Sequence, residues 1–269
     1  MSASFLHRVC DEAHDRVAAD AAREPLDELI ARAREVPPPP GFATGLAAPG
    51  VQLICEVKRA SPSRGHMAEI PDPARLASAY AAGGAAAISV LTEPVHFEGS
   101  LDDLRAVTAT VALPVLRKDF TVDPYQVWQA RAAGAAAVLL IVAALDDDAL
   151  VELMGVAAEA DLDCLVEAHT ADEVARAATA HDRAETGRRL VLGVNARDLT
   201  TLTVDRAHVA RVRAAVDLPD GALLVAESGV AGPADVGEYA AVGADAVLVG
   251  EHVATAADPE AAVRALTGH

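Results

Sequence analysis

The stretch Leu53-Ile54-Cys55-Glu56-Val57-Lys58-Arg59-Ala60-Ser61-Pro62-Ser63 begins as a buried strand and ends as a polar loop. From Val51 to Val57 the residues are apolar and rich in β-formers, interrupted only by Gln52 and Glu56. Glu56 and Lys58 stand two apart, which on a strand puts them on the same side. An acid and a base on one face of an apolar strand are costly to bury unless they meet partners. A structural ion pair at a strand end is the plain explanation. Lysine usage argues for more. The chain has 22 basic residues, and only two of them, Lys58 and Lys118, are lysines. Lys118 ends a second apolar stretch, Leu113-Pro-Val-Leu-Arg-Lys-Asp-Phe120. A sequence that otherwise uses arginine and keeps lysine at two strand ends calls for a compact ammonium that can release a proton, which a guanidinium does not do at working pH.

Outward from this stretch, strands alternate with helices. Candidate strands are 51–57, 86–91, 113–118, 136–142, 163–167, 190–195, 222–227 and 245–250. Ala-rich helical stretches such as Pro73–Ala82, Asp123–Ala133 and Ala171–Ala180 lie between them. One join occurs three times: Gly84-Ala-Ala-Ala-Ile-Ser-Val-Leu91, Gly134-Ala-Ala-Ala-Val-Leu-Leu-Ile141 and Gly243-Ala-Asp-Ala-Val-Leu-Val-Gly250. Each glycine suits a left-handed helix C-cap, and the repetition points to a series of like α-to-β steps. Eight parallel strands with helical crossovers make an α/β fold of the (β/α)8 TIM-barrel type. A doubly wound open sheet is the rival. The polar groups favour the barrel: Glu56, Lys58, Lys118, Glu167, Asn195, Glu227 and Ser228 all fall at or just past C-terminal strand ends. In a barrel these ends converge on one mouth, whereas an open sheet shares a ligand only at its switch point.

Residues 1–269 read as one barrel domain, with 1–49 an N-terminal helical extension packed on it. Within 3–35, Phe5, Val9, Ala13 and Val17 recur at a helical period, and Ser2 or Ser4 suits the cap. Pro25 suits the first turn of a second helix, which Pro37 to Pro40 end. With the eighth helix finishing near His269, no fused partner domain is expected.

Composition sets outer limits. Apolar residues make up 52% of the 269 but aromatics only 3%, so a sizeable core is built from Ala, Val and Leu. A net charge of −18 argues against nucleic-acid or anionic-membrane partners. The three cysteines, Cys10, Cys55 and Cys164, are far apart and read as core residues of a reducing compartment. The N-terminus lacks the apolar core of a signal peptide, and the longest apolar run, Ala132 to Leu145, is too short to span a membrane. A cytoplasmic protein is expected. The nine histidines show no spacing such as H-E-x-x-H, so no metal is expected. The oligomeric state stays open, a monomer included.

A mouth lined by two lysines and two or three carboxylates suits proton transfer at a carbonyl or hydroxyl, because each ion tunes its neighbour. No activated nucleophile is apparent: Ser61, Ser63 and Ser228 have no histidine placed beside them. The last two strands add a second signal. Glu227-Ser-Gly-Val-Ala-Gly232 and Val249-Gly-Glu-His252 place glycines where backbone N–H groups can approach an anion, as barrels often do for phosphate.

These motifs resemble the indole-3-glycerol phosphate synthase family of tryptophan biosynthesis. The resemblance rests on Glu56-Val-Lys-Arg-Ala-Ser-Pro-Ser63, Ile88-Ser-Val-Leu-Thr-Glu93 with Phe97-Glu-Gly-Ser100, Leu113 to Phe120, Asp123-Pro-Tyr-Gln126, Leu165-Val-Glu-Ala-His-Thr170, Gly193-Val-Asn-Ala-Arg-Asp-Leu199, Ala226-Glu-Ser-Gly-Val230 and Gly243 to Gly250, in family order. It covers essentially the whole chain, the helical extension included. It implies a phosphorylated small-molecule substrate, 1-(2-carboxyphenylamino)-1-deoxyribulose 5-phosphate, closed to an indole with loss of carbon dioxide and water and without a cofactor. It implies Lys118 as the general acid, with Glu167 and Glu56 orienting the ammonium groups and handling protons. Lys58 would hold the phosphate or donate to the departing hydroxyl. Asn195 and Ser228 would bond sugar hydroxyls, Arg197 would face the substrate carboxylate, and Glu227 would position its neighbours. Ser61, Gly229 and Gly250 would help to form the phosphate site, and Phe97 and Phe120 would wall the aromatic ring.

Three places depart from the family pattern. Ala196 stands where a second asparagine is common, His252 stands where small residues are common, and His181 to Arg189 is longer and more charged than expected. That last stretch reads as a solvated loop on the N-terminal side of the barrel. Two other readings stay open: another phosphosugar enzyme on the same fold, such as a phosphoribosylanthranilate isomerase, and a phosphate-binding protein without catalysis. The acid and base at the first strand end argue against the former, and the full charged set against the latter.

Overall fold

A computed structural model describes residues 2–197 and 203–268, the side chains of 2–4 excepted. The extension forms α1 (Ser2–Ala21), α2 (Leu26–Glu35) and the short α3 (Phe42–Leu46). The proposed caps at Ser2 and Ser4 lie outside the described side chains, and Asp198-Leu199, the end of the Gly193 to Leu199 motif, lie outside the described residues. The strands are β1 (Gln52–Val57), β2 (Ala60–Ser61), β3 (Gly65–His66), β4 (Ala87–Leu91), β5 (Val115–Lys118), β6 (Ala137–Ile141), β7 (Asp163–Ala168), β8 (Val191–Asn195), β9 (Leu223–Glu227) and β10 (Ala246–Val249). Eight of them close a barrel in the order β1-β10-β9-β8-β7-β6-β5-β4, every pair parallel. The TIM barrel read from the alternation is therefore the fold. The antiparallel pair β2–β3 is an addition, because the Ser-Pro-Ser stretch reads only as a loop in sequence.

Local chemistry explains where the helices start. Asp72, Ser100, Asp123, Asp146, Thr170 and Asp258 each accept a backbone N–H from the first turn of the following helix, a contribution of about 1 kcal/mol apiece. Gly84, Gly134 and Gly243 sit at φ of 100°, 83° and 84°, as the three repeated joins require. The helix after β7 runs from Ala171 to Ala184, so the first part of the expected 181–189 loop is helical. The rest lies at the barrel's N-terminal side, where Arg188 pairs with Asp161 (2.6 Å) and Asp163 (3.2 Å).

The period of two divides the apolar side chains into two layers. Leu53, Cys55, Val90, Leu140, Val166, Leu192 and Val247 face out and pack beneath the helices. Ile54, Leu116, Leu139, Leu165, Val191, Val225 and Leu248 fill the barrel. Phe42 and Leu46 of α3, both fully buried, join the inner layer. The extension is anchored on the helix Pro124–Ala132: Tyr125 Oη donates to Glu24 O (3.0 Å), Gln129 Nε2 to Asp20 Oδ2 (2.9 Å) and Arg131 Nη2 to Val36 O (2.7 Å).

Candidate active site

The parity that sends Ile54, Leu116, Leu165 and Val225 inward also sends in the residue two further along each strand. Those residues are Glu56, Lys118, Glu167 and Glu227. The same strand ends that carry apolar filler thus deliver charged groups at the C-terminal end of the barrel. There they border a cavity of about 1200 Å³.

Lys118 Nζ donates to Glu227 Oε2 at 2.8 Å and to Glu167 Oε2 at 3.2 Å. Glu227, expected from sequence only to position its neighbours, is therefore the carboxylate nearest to Lys118. Burial works against the Lys118 ammonium, but the charges of Glu227, Glu167 and Glu56 outweigh it and raise the pKa above the usual lysine value. Two carboxylates share this one ammonium. Burial and the neighbouring Glu167 push Glu227 up to about 8, against the pull of Lys118. Glu227 Oε1 is buried with no hydrogen-bond partner among the described residues. It lies against Gly193, where any Cβ would collide with it. Gly193 is thus the small residue that makes room for the Glu227 carboxyl.

The second lysine has its own partner. Lys58 Nζ lies 2.7 Å from Glu56 Oε1, and Ser89 donates to Glu56 Oε2 at 3.2 Å. Burial opposes the Glu56 carboxylate, but Lys58 and Lys118 outweigh it and hold the pKa below the usual value. Ser89 is absent from the sequence reading, although the strand register Glu56↔Ser89 explains its placement. Gly250 is needed here as well: a Cβ would come within 2.8 Å of Glu56 Oε1 and 2.9 Å of Lys58 Nζ.

Asn195 joins the two carboxylate strands to the next loop. Its Nδ2 donates to Glu167 Oε1 (3.1 Å), and its Oδ1 accepts the Arg197 backbone N–H (3.0 Å). Arg197 Nη1 reaches Ser63 Oγ (3.2 Å), and Ser63 in turn lies 3.3 Å from Ser61 Oγ. Ser228 adopts φ of 69° and Gly229 of 86°, so the chain turns sharply after β9. A left-handed non-glycine residue stores backbone strain of the kind found at functional sites. Tyr239 Oη holds this turn by donating to Ser228 O at 2.9 Å. Phe97 and Phe120 lie with ring centroids 6.3 Å apart and form an apolar wall of the cavity. All of the sequence-derived site residues line or border this one cavity.

Residues the sequence did not single out also line it, notably Phe5 and Leu6 of α1. Arg16, three turns along the same helix, pairs with Asp119 (3.2 Å) and Glu93 (3.7 Å), which follow Lys118 and end the β4 stretch. His252 lines the cavity, whereas Ala196 packs in the outer apolar layer away from it. Cys55 is buried and Cys164 half-buried, and desolvation pushes both thiols up to about 12, consistent with inert residues of the apolar layers. Ligand-type atoms of Glu12, Glu93 and His96 come within 4.8 Å of one another. Glu93 is already used by the N–H groups of Val95, His96 and Phe97, and His96 by Glu12 (2.9 Å). That cluster tethers α1 to the barrel.

A closed parallel barrel with paired lysines and carboxylates at its C-terminal mouth is the arrangement of a (β/α)8 enzyme, and such a set of charges is suited to proton transfer. The family model described as indole-3-glycerol phosphate synthase matches residues 6–266, and the chain belongs to that family. A relative from Mycolicibacterium smegmatis named indole-3-glycerol phosphate synthase is 52% identical over 262 residues, covering 97% of this chain and 93% of its own. One from Mycobacterium tuberculosis, of the same name, is 50% identical over 261 residues with the same coverage. Among solved structures, 3-hexulose-6-phosphate synthase from Salmonella typhimurium aligns with a TM-score of 0.62 at 17% identity, covering 81% of this chain and 97% of that one. Orotidine 5'-phosphate decarboxylase from Pyrococcus horikoshii aligns at 0.59 and 12% identity, covering 80% and 97%. At such identities these structures share the fold alone.

Proposed function

We propose that the protein is a carboxy-lyase that converts 1-(2-carboxyphenylamino)-1-deoxyribulose 5-phosphate to indole-3-glycerol phosphate, carbon dioxide and water, a step of tryptophan biosynthesis. The observation that carries the mechanism is Lys118 held between Glu227 and Glu167 beside an apolar wall. The aniline ring carbon bearing the carboxylate attacks the C2 carbonyl of the sugar, and Lys118 gives its proton to the carbonyl oxygen. That oxygen becomes an alkoxide-like base in the transition state, so an ammonium of raised pKa is still a competent donor. Carbon dioxide then leaves and aromaticity returns. The new hydroxyl departs as water with a proton supplied from the lysine side, while a carboxylate accepts the proton lost from the adjacent methylene.

Glu167 and Glu56 are placed for that acceptance. Lys58 borders both the carboxylate cluster and Gly250, within reach of either the departing hydroxyl or the phosphate. The turns at Ser228-Gly229 and Gly250 form the phosphate end, and Ser61, which lines the same cavity, adds to it. Arg197 faces the substrate carboxylate, Asn195 and Ser228 the sugar hydroxyls, and Phe97 and Phe120 the ring. The electron-rich aniline supplies the driving force, so the reaction requires no cofactor. Among the described residues no helix is long and apolar enough to cross a membrane, which fits action on a soluble metabolite in the cytoplasm.

Mixing purified protein with the carboxyphenylamino-deoxyribulose phosphate and following indole fluorescence tests the reading. Indole formation that collapses in Lys118→Ala supports both the reaction and the acid. A folded wild-type protein that binds the substrate without turnover would overturn it.

A further inference from the structure

One pair of buried-edge histidines next to the site has no part in this mechanism. His169 follows the last residue of β7, two positions beyond Glu167. Its Nδ1 lies 3.0 Å from the carbonyl oxygen of Asn195. A carbonyl only accepts, so Nδ1 carries the proton and donates. His208 is the second residue of the helix Ala207–Ala214, and its Nε2 lies 2.6 Å from the carbonyl oxygen of His169. By the same reasoning Nε2 of His208 is the donor. The two rings stack, with centroids 4.3 Å apart and planes 23° from parallel. The backbone N–H of His169 donates to Glu173 Oε2 at 2.6 Å, which fixes the start of the turn.

The place of these bonds in the fold gives them meaning. The ladder between β7 and β8 ends at Ala168↔Val194. Asn195 is the next residue along β8, and at that point the ring of His169 takes over from the backbone as donor to its carbonyl. The side chain of the same asparagine donates to Glu167 and accepts from the N–H of Arg197. One imidazole therefore fixes the backbone of the residue that joins a carboxylate beside Lys118 to the loop that carries Arg197. His208 fixes that imidazole from the helix Ala207–Ala214. The chain returns there through the Arg197↔Val204 bridge and the Asp205 N–H bond to Ala196 O (2.9 Å).

We infer that His169, braced by the stacked His208, is a positioning residue for the Glu167–Asn195–Arg197 line. It touches no reacting atom. It sets the angle at which Asn195 presents its amide to Glu167, and so the orientation of the carboxylate that shares the Lys118 ammonium. The inference rests on the proposed reaction for its kinetic consequence but not for its geometry.

Four substitutions separate the donor from the ring. His169→Asn keeps a donor at the position of Nδ1, and His169→Phe keeps a stacked ring without one. His208→Gln keeps a donor at the position of Nε2, and His208→Phe again keeps only the ring. Steady-state kinetics of indole formation should show kcat of His169→Phe lowered about tenfold with KM within about twofold, since the loss of one oriented hydrogen bond acts on the reacting geometry. His169→Asn should lie within about threefold of wild type, and His208→Phe should fall between them, with His208→Gln restored. Equal losses in His169→Phe and His169→Asn, or losses in KM alone, would overturn the inference. A readout independent of turnover uses 15N-edited spectra of the histidine rings in the wild-type protein. The proton must be on Nδ1 of His169 and on Nε2 of His208, and the opposite tautomer at His169 overturns the positioning role whatever the kinetics. A wild-type protein inactive on the substrate would defeat the proposed reaction, while the tautomers would still decide the role of the histidine pair.

Discussion

The two ends of the barrel are built from the same strands and solve opposite problems. At the N-terminal end, α3 inserts Phe42 and Leu46 among Ile54, Leu116, Val191 and Leu223, and the interior is apolar. Asp163 secures this plug by accepting the Ala43 N–H at 2.9 Å while Arg188 balances its charge. At the C-terminal end, two residues further along the strands, the interior holds Glu56, Lys118, Glu167 and Glu227 around an open cavity. The lower end contributes stability by burying surface. The upper end gives some of it up by crowding two carboxyl groups on one ammonium, which pushes the Glu227 carboxyl well above its usual range. Chemistry and cohesion are thus separated by one inward-facing layer.

Substitutions at each end should sharpen this division. Lys118→Ala should lower kcat by about 10²–10⁴-fold, the usual contribution of a positioned acid, while thermal unfolding shows the barrel still folded. Phe42→Ala should do the reverse. It should cost about 3–5 kcal/mol of stability by denaturant unfolding, as truncation of a fully buried aromatic does, with kcat of the folded fraction unchanged.

Glu227→Gln probes the cost of the upper end through pH. Glu227 holds its proton up to about 8 in the folded protein, against 4.5 for the ordinary side chain. Between those values the native state binds more protons than the unfolded chain. The contribution of this group is therefore complete below 4.5 and lost as pH rises through about 8. Melting temperatures of Glu227→Gln should decline less across that window than those of the wild type. An equal decline in both would show that the proton is not held there. The smallest effect is expected at the lower end: Asp163→Asn should cost about 1–2 kcal/mol by weakening two charge-assisted bonds, with turnover unaltered.

The sequence made the upper end legible and left the lower end dark, for physical reasons. Inward charges on apolar strands are conspicuous, so Glu56, Lys118, Glu167 and Glu227 can be picked out by parity and by the scarcity of lysine. The plug has no such signature. Gly41 to Leu46 is too short to show a helical period, and Phe42 has no neighbour pattern to mark it as interior. Contacts between distant segments were equally hidden. Nothing local announces that Phe5 and Leu6 reach the mouth, that Ser89 serves Glu56, or that His169 meets Asn195 and His208. Gly193 and Gly250 were visible as glycines, yet the reason for them, space for Glu227 and for the Glu56–Lys58 pair, depends on the closed barrel.

The pairing of β1 with β10, Gln52 beside Ala246, sets when during synthesis the protein can become whole. Barrel closure joins the first barrel strand to the last, so a nascent chain carries an unpaired strand edge until the ribosome has released residues beyond 249. Phe42 and Leu46 precede every strand of the barrel, and the residues that seat them run as far along the chain as Leu248. The segment that seals the floor of the barrel therefore has no place to bury its apolar side chains until those strands have joined, the condition under which partly made chains tend to associate.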